Sequence, residues 1–247
     1  MIPNPILKVL STIRRHRVEA LLMGGQACVF YGAAEFSRDT DLAILAEDAN
    51  LTRLQGALDD LQAEVIAVPA FDAAYLHAGH AVHFRCKHPE AAGMRVDIMS
   101  RMRGVEPFPK LWKRRTTLEL EDGTHCDLLA LPDLVLAKKT QRDKDWPMIR
   151  RLVEAHYFNH GDSPNPDQIR FWLLELRTAS LLLDTAAKWP DFTKDELRRR
   201  PLLSLAITED LAALEKALDA EEDREREQDR NYWLPLKQEL ERLRHGR

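Results

Sequence analysis

Two short stretches decide how the fold of this chain is interpreted: residues 18–25, VEALLMGG, and residues 37–44, SRDTDLAI. The first is an apolar run that stops at two adjacent glycines, which is typical of a buried strand ending in a turn. The second leads into an apolar run, and residues 40–45 predict a second short strand. Side chains two residues apart in an extended chain point to the same face, so Asp39 and Asp41 should lie side by side.

Two carboxylates held this close repel each other, and the repulsion normally raises the pKa of one of them. A divalent cation removes that penalty, and Mg²⁺ typically binds one or two carboxylates together with substrate phosphates. A third acid, Asp97, lies inside an otherwise apolar run, where a lone carboxylate is costly to bury unless it is paired or bound to metal. Arg38 adds a planar cation suited to phosphate, and Gly24 and Gly25 leave backbone N–H groups accessible. The alternatives are a solvated turn at residues 39–41 and a water-facing strand position for the third acid.

Extended and helical patterns alternate up to about residue 130, and only helical patterns follow. The extended runs, which predict strands with two hairpins among them, are residues 18–23, 40–45, 65–68, 82–87, 94–99, 116–120 and 125–129. The second hairpin turns at Asp122-Gly123, a pair that suits a tight turn. The helical patterns are residues 2–13, 26–31, 51–61 with Asn50 as N-cap, 133–142, 146–157, 167–188, 193–199, 203–220 and 232–244.

The turn-rich segment 159–166, NHGDSPNP, marks the predicted boundary between two domains. Residues 1–157 are expected to form an α+β domain, a mixed sheet flanked by helices. Residues 158–247 are expected to form an all-helical C-terminal domain.

The composition restricts the function classes. The chain has 247 residues and a formal net charge of −4, with 36 Lys and Arg against 40 Asp and Glu, which argues against a general nucleic-acid coat. A local basic patch around Trp112 is either a solvated face or a docking surface for an anionic acceptor such as RNA. Its basic residues are Lys110, Lys113, Arg114 and Arg115, and the arginines at 198–200 are expected to be solvated. Widely spaced cysteines and the lack of an apolar run long enough to cross a bilayer predict a cytoplasmic protein with no membrane partner.

A zinc site is a second possibility on the segment that carries His77, His80, His83 and Cys86. On one helix the three histidines would share a face. Gly79 and the strand-like run after it favour a loop that leads into a strand, which would separate them.

The order of these pieces resembles the nucleotidyltransferase superfamily with a polymerase-beta-like core. That family has a Gly-Gly or Gly-Ser turn, then a D-x-D pair, then a third acid on a neighbouring strand, here Gly24-Gly25, Asp39-x-Asp41 and Asp97. The string 36–42, FSRDTDL, looks like the version found in AbiEii-like toxins and related bacterial nucleotidyltransferases. The strings 131–139, LPDLVLAKK, and 142–145, RDKD, are similar to the family's D-L-x-x-x-K and R-x-K-D helix pair. The resemblance covers roughly residues 18–155.

The resemblance implies an enzyme that moves a nucleoside monophosphate from an NTP to an acceptor and releases pyrophosphate. Asp39, Asp41 and Asp97 would be the catalytic and metal-binding residues for Mg²⁺, with one or two ions, and Asp97 would also help to deprotonate the acceptor. The nucleotide would be bound by Gly24, Gly25, Arg38 and one of Lys138 and Lys139. Neighbouring lysines point about 100° apart on a helix, so only one of the two would face the site. The acceptor would be an RNA, a protein or a small molecule, and a cognate regulatory protein is a further possible partner.

The chain departs from the family pattern after the first glycine. Many members have Ser there, with a hydroxyl that contacts phosphate, whereas this chain has Gly25. This departure motivates an alternative, a non-catalytic nucleotidyltransferase-like binding or regulatory partner of a toxin–antitoxin type system. The three retained acids argue against it, because an idle site would not require them. A helical interaction protein with an incidental acidic pair is the third alternative.

Overall fold

The computed structural model describes residues 4–34, 37–120, 123 and 125–246 of the chain. The described residues form one seven-stranded sheet and twelve α-helices. The α+β class predicted from the sequence is confirmed, with a mixed sheet and a helical C-terminal region. None of the helices in these ranges is long and apolar enough to cross a membrane.

The strands follow the extended runs of the sequence closely, except that the strand predicted at residues 65–68 lies at residues 63–65. They are β1 (Ala20–Met23), β2 (Asp39–Ile44), β3 (Ala63–Val65), β4 (Val82–Cys86), β5 (Arg95–Met99), β6 (Thr116–Glu119) and β7 (His125–Leu128). The helices are α1 (Asn4–Arg15), α2 (Gly24–Phe30), α3 (Asp48–Asp60), α4 (Ala73–Ala78), α5 (Phe108–Lys113), α6 (Leu131–Ala137), α7 (Asp145–His160), α8 (Pro166–Glu175), α9 (Ala179–Lys188), α10 (Pro190–Glu196), α11 (Leu203–Ile207) and α12 (Leu211–His245).

The sheet has the strand order β3-β4-β5-β2-β1-β7-β6. The β2–β5 and β1–β7 pairs are parallel and the other four pairs are antiparallel. Both predicted hairpins, β4–β5 and β6–β7, are confirmed. Asp122 of the predicted Asp-Gly turn lies outside the described residues, as does Phe36 of the FSRDTDL string.

The centre of the sheet is buried because β1 is apolar along its whole length. All four of its residues are buried, and Leu21 and Leu22 are fully so. Helix α2 begins directly after β1 and packs against β1 and β2. Helix α1 places its apolar stripe, Ile6, Val9, Leu10 and Ile13, in the core, as its spacing predicted. The glycine turn between β1 and α2 is therefore fixed on a rigid, buried support.

The N-cap predicted for helix α3 and the C-terminal end predicted for the helix 133–142 are wrong. Helix α3 begins at Asp48, so Asn50 is not its N-cap. The Asn50 side chain is instead buried, where it accepts a hydrogen bond from the Glu19 amide (2.7 Å) and donates to the carbonyls of Glu19 (3.0 Å) and Leu45 (2.8 Å). The predicted helix 133–142 ends at Ala137.

The helical segments differ from the prediction in several places. Helices α4 and α5 were not predicted, and the predicted helix 167–188 is two helices, α8 and α9. In contrast, α12 continues through the mixed-charge run 219–230, so it joins the end of the predicted helix 203–220 to the predicted helix 232–244. Pairs at helical spacing stabilise this run, including Arg226–Glu222 (2.6 Å) and Arg230–Glu227 (2.6 Å).

The packing of the chain divides it into two units. One comprises residues 1–137 with 232–247, and the other residues 138–231. The second unit thus begins at residue 138, before the predicted domain boundary at 157/158, and the end of α12 belongs to the first unit.

Arg200 contradicts the expectation that the arginines at 198–200 are solvated. It is 3% exposed and donates hydrogen bonds to the carbonyls of Leu173 (2.9 Å) and Leu176 (3.0 Å) and to Glu221 (2.8 Å). The last carbonyls of a helix have no partner within the helix, and here a guanidinium supplies one at the end of α8. Arg200 therefore stabilises the second unit.

His156 gives the second unit a defined dependence on pH. Its Nδ1 accepts a hydrogen bond from the indole N–H of Trp172 (2.9 Å), and its ring stacks on that of His160. Burial and, to a smaller extent, the charge of the neighbouring His160 together lower the pKa of His156 from 6.5 to about 4. The unfolded chain therefore takes up a proton near pH 6.5 that the folded chain resists until about pH 4.

We expect the stability contributed by His156 to be lost as the pH falls from about 6.5 to about 4, because protons bind the unfolded state first. Thermal unfolding at pH 7.5 and pH 5.0 measures this loss. His156→Gln keeps an acceptor for the Trp172 N–H but does not titrate, so it should lose less stability between the two pH values than the wild type. Equal losses in the two proteins would contradict the assignment.

Candidate functional site

The topology brings the three predicted acids to one face of the sheet. Strands β2 and β5 are parallel neighbours, with Asp41 opposite Asp97 and Asp39 opposite Arg95. Directly opposed residues of paired strands point to the same face, and so do residues two apart along a strand. Asp39, Asp41 and Asp97 therefore share one face, and all three are partly buried. This surface, together with Arg95, is called the acid face below.

The glycine turn lies directly against the acid face. Strand β1 pairs with β2 so that Met23 is opposite Asp41, and Gly24 follows with φ +66°. A Cβ atom on Gly24 would lie 1.8 Å from Oδ2 of Asp41. Glycine is therefore required at position 24 both for the left-handed backbone and for the space that the carboxylate occupies.

Ser37 fills the space beside the second glycine. A Cβ atom on Gly25 would lie 2.8 Å from Oγ and 3.3 Å from Cβ of Ser37. The Ser37 hydroxyl donates to the carbonyl of Asp39 (3.1 Å) and so is held at the start of β2. The position where many nucleotidyltransferases have a serine is glycine here, and a serine hydroxyl reaches the same place from residue 37. Arg38, the next residue, is exposed.

This contact predicts an unusual response to Gly25→Ala. In an ordinary helix the change stabilises a protein by about 0.5–1 kcal/mol. Here the new methyl group meets Ser37, so we expect a destabilisation of about 1 kcal/mol instead. In a Ser37→Gly background the same change should become neutral or stabilising. A double-mutant cycle from urea unfolding measures the coupling, and additive effects would show that the two positions do not interact.

Two further residues engage Asp97: Arg95, which the sequence did not single out, and His83, which it offered only as a possible zinc ligand. Arg95 Nε donates to Asp97 Oδ1 at 2.7 Å, and Nδ1 of His83, opposite Asp97 on β4, lies 2.9 Å from the same oxygen. A second guanidinium nitrogen of Arg95 is 3.1 Å from that ring nitrogen. The sequence signal for both was the alternation of polar and apolar residues along β4 and β5, which places His83, Arg95 and Asp97 on one face.

The electrostatics of the acid face follow from these contacts. Burial alone would raise the pKa of Asp97, but the hydrogen bonds from His83 and Arg95 outweigh it and hold that pKa below its ordinary value. The pKa of Arg95 is raised, chiefly by its hydrogen bond to Asp97 and further by the charges of Asp39 and Asp41. Asp97 is therefore ionised near neutral pH, with Arg95 as its counter-ion.

In the part of the chain that the structure describes, no group of three or more His, Cys, Asp or Glu side chains is arranged to hold a metal ion. The acid face nevertheless has donors of the type that Mg²⁺ prefers, since all three are carboxylates, and the missing Cβ of Gly24 is what gives the Asp41 carboxylate its space against the glycine turn. Arg95 donates a hydrogen bond to one of the two carboxylate oxygens of Asp97. The donor set fits a hard divalent cation, which would compete with that guanidinium.

The residues of the alternative zinc site lie on different elements. His77 is on α4, which the sequence analysis interpreted as a loop, and His83 and Cys86 are on β4. His80 is buried between these elements, with Nε2 2.8 Å from Glu239. The possible zinc ligands therefore lie on α4, on β4 and on the connection between them.

Lys138 and Lys139 are placed differently from the prediction, because α6 ends before them. They do not lie 100° apart on a helix. Both are buried, with Lys138 3.2 Å from Asp145 and Lys139 2.8 Å from Glu175. Each forms an ion pair within the unit 138–231, and a role for either in nucleotide binding stays a prediction.

Two arginines of the basic patch around Trp112 form ion pairs with carboxylates of the same unit. Arg114 donates two hydrogen bonds of 2.6 Å to the buried carboxylate of Asp133, which raises the pKa of Arg114. Arg115 pairs with Asp127 (3.0 Å) and lies over the Trp112 ring. These contacts hold α5 next to α6 and β7, so they favour neither of the two sequence interpretations, the solvated face or the anion-docking surface.

A separate cavity of about 640 Å³ lies beyond the ends of β2 and β5. Its lining comes mainly from residues 44–47, 100–102 and 105–109. The volume falls in the range of small-molecule sites. Asp39, Asp41 and Asp97 do not line it, so the cavity and the acid face are different surfaces.

Comparison of the chain with protein-family models and with curated proteins finds no match. The resemblance to the nucleotidyltransferases therefore rests on the residues of this chain alone.

Proposed function

We propose that the chain is a metal-dependent nucleotidyltransferase, which moves a nucleoside monophosphate from an NTP to an acceptor and releases pyrophosphate. The observation that carries the proposal is the register of β2 and β5. It places Asp41 opposite Asp97, with Asp39 on the same face and the Gly24 turn against the Asp41 carboxylate. Three carboxylates next to a glycine turn suit both a divalent cation and a phosphate group.

Each residue has a defined task in this proposal. Asp39 and Asp41 would hold Mg²⁺ together with the nucleotide phosphates, and the bound cation would neutralise the charge that develops on the leaving pyrophosphate. The acceptor hydroxyl would lose its proton to Asp97 or to water while its oxygen forms a bond to the α-phosphorus, and the bond from the α-phosphorus to the oxygen that bridges to the β-phosphate would break and release pyrophosphate. The exposed Arg38 and the N–H groups of the glycine turn would bind the phosphates.

Asp97 could serve as a general base or as a third metal ligand. Its pKa lies below the ordinary value because His83 and Arg95 outweigh the effect of burial. A carboxylate that is stabilised in its ionised form accepts a proton less readily. The contacts therefore favour the role of ligand while Arg95 is in place.

Two radiolabelled forms of each NTP test the proposed reaction. The protein is incubated with Mg²⁺ and a cell extract, with the label at either the α- or the γ-phosphate. Nucleotidyl transfer places the α-label on an extract component and releases the γ-label as pyrophosphate. Transfer of the γ-label would indicate phosphoryl transfer, and transfer of neither label would contradict an active enzyme.

The non-catalytic alternative, a nucleotidyltransferase-like binding or regulatory partner, is favoured by one observation. Arg95 and His83 already engage Asp97, so the acid face is partly neutralised by the chain's own side chains. A protein of this kind would bind an NTP in equilibrium dialysis without consuming it. Release of pyrophosphate in the labelling experiment decides between the two.

A further inference from the structure

We propose that Arg95 is an exchangeable counter-ion that couples metal binding to nucleotide binding on the acid face. In the protein without nucleotide its guanidinium neutralises Asp97. When a nucleotide enters with a divalent cation, the guanidinium leaves Asp97 for the nucleotide phosphates. The inference rests on the proposed function, because it describes how that same site takes up its two ligands.

The position of Arg95 allows such an exchange. Arg95 is on the same strand as Asp97, two residues before it and on the same face, opposite Asp39 on β2. Its side chain is 38% exposed, whereas that of Asp97 is 16% exposed. The carboxylate is thus held in the sheet, while the long arginine side chain reaches it from the solvent side. Arg95 can therefore turn to another anion without disturbing the strand.

The contact to Asp97 competes with a metal ion. Arg95 Nε lies 2.7 Å from Oδ1 of Asp97, and His83 Nδ1 lies 2.9 Å from the same atom. A cation that binds this carboxylate has to share or displace those partners and also to approach the positive guanidinium. The guanidinium is charged at every pH at which the protein is folded. Arg95 consequently weakens the binding of a metal ion to the Asp97 carboxylate when no nucleotide is present.

A nucleotide changes this balance because it brings its own negative charge. Phosphate oxygens accept two parallel N–H bonds from a guanidinium, in the same geometry as a carboxylate. With the triphosphate present, Arg95 can leave Asp97 without losing an anionic partner, and the freed carboxylate can then bind the cation. Each ligand should therefore raise the affinity of the other by the same factor.

Arg95→Gln tests the coupling. The dissociation constant of Mn²⁺ is measured by electron paramagnetic resonance, without nucleotide and with each of the four α,β-non-hydrolysable NTP analogues. In the wild type, Mn²⁺ should bind weakly alone and about tenfold more tightly with the analogue, a factor typical of coupled sites. In Arg95→Gln, Mn²⁺ alone should bind about tenfold more tightly than in the wild type, and the further gain with the analogue should be smaller than in the wild type, because only direct phosphate ligation of the metal then couples the two ligands.

A matched control is the neighbouring arginine on β4. Arg85 is directly opposite Arg95 in the sheet and is exposed, so Arg85→Gln removes the same charge from the same face. We expect it to change the Mn²⁺ affinity by less than about twofold, since the charge of an exposed side chain that is not engaged with Asp97 contributes little. An equal effect of both changes would show that only net charge matters and would overturn the specific role of Arg95.

Arg95→Lys keeps the charge but not the paired N–H geometry. It should retain weak binding of Mn²⁺ alone and bind the analogue less tightly than the wild type. Unchanged or weaker binding of Mn²⁺ alone in Arg95→Gln would overturn the inference. If Asp41→Asn abolishes the Mn²⁺ site in that case, the proposed function stands without it. If the wild type binds no Mn²⁺ even with an analogue, the proposed function itself fails.

Discussion

Asp41→Asn is expected to lower the rate of the proposed nucleotidyl transfer by about 100- to 1000-fold, the cost typical of losing one electrostatic contact to a transition state. Asn has the shape of Asp, so it fits the space that Gly24 leaves and should not disturb the β1–β2 pair. The change removes only the negative charge that would hold the cation. Asp39→Asn should cause a loss of similar size. The measurement is the initial rate of pyrophosphate release at saturating Mg²⁺.

The control for these variants is Asp48→Asn. Asp48 is exposed in the first turn of α3 and lies on none of the strands that carry the acid face. This variant should retain the wild-type rate within about twofold, because exposed charges contribute little. Circular dichroism should show the wild-type spectrum for all three proteins. Folded Asp41→Asn protein with turnover within tenfold of the wild type would remove the acid face from the mechanism.

The second large effect is expected on stability, at Arg200. Arg200→Met should lower the free energy of unfolding by about 3 kcal/mol, as is typical when one partner of a buried ionic contact is removed. The change leaves the carbonyls of Leu173 and Leu176 without their guanidinium donor, and it removes one of the cations that engage Glu221. Arg177, 3.0 Å from Glu221, remains and limits the loss.

Urea unfolding followed by tryptophan fluorescence measures this effect, because three of the five tryptophans lie in the unit that contains Arg200. Arg198→Met is the matched control, two residues away and exposed. It should change the free energy of unfolding by less than about 0.5 kcal/mol. Similar values for the two variants would mean that the buried contacts of Arg200 contribute nothing beyond its charge.

Local patterns predicted those elements that are long or that end at a clear signal. Strand β1 ends at two glycines, and the two hairpins follow extended runs separated by turn-forming residues. Helices α4 and α5 have six residues each, too few turns for a helical period to be recognised. Arg200 was mispredicted for a different reason: nothing in the sequence of three consecutive arginines, 198–200, distinguishes the one that is buried from the solvated ones.

The candidate site shows the same division between local and long-range information. The shared face of Asp39 and Asp41 follows from the period of a strand, and the structure confirms it. The pairing of Asp41 with Asp97 joins residues far apart in sequence, so it depended on the family resemblance and not on any local pattern. The contact between Ser37 and Gly25 depends on how the chain returns from α2 to β2, for which the sequence offered no signal.

The most direct test of the central claim is a crystal structure with Mn²⁺ and an α,β-non-hydrolysable NTP analogue, with data collected at the manganese absorption edge. The account predicts an anomalous peak within about 2.2 Å of carboxylate oxygens of Asp39 and Asp41, with Asp97 as the third acid at the ion. An anomalous peak bound to other residues, or none at saturating Mn²⁺ and analogue, would contradict it.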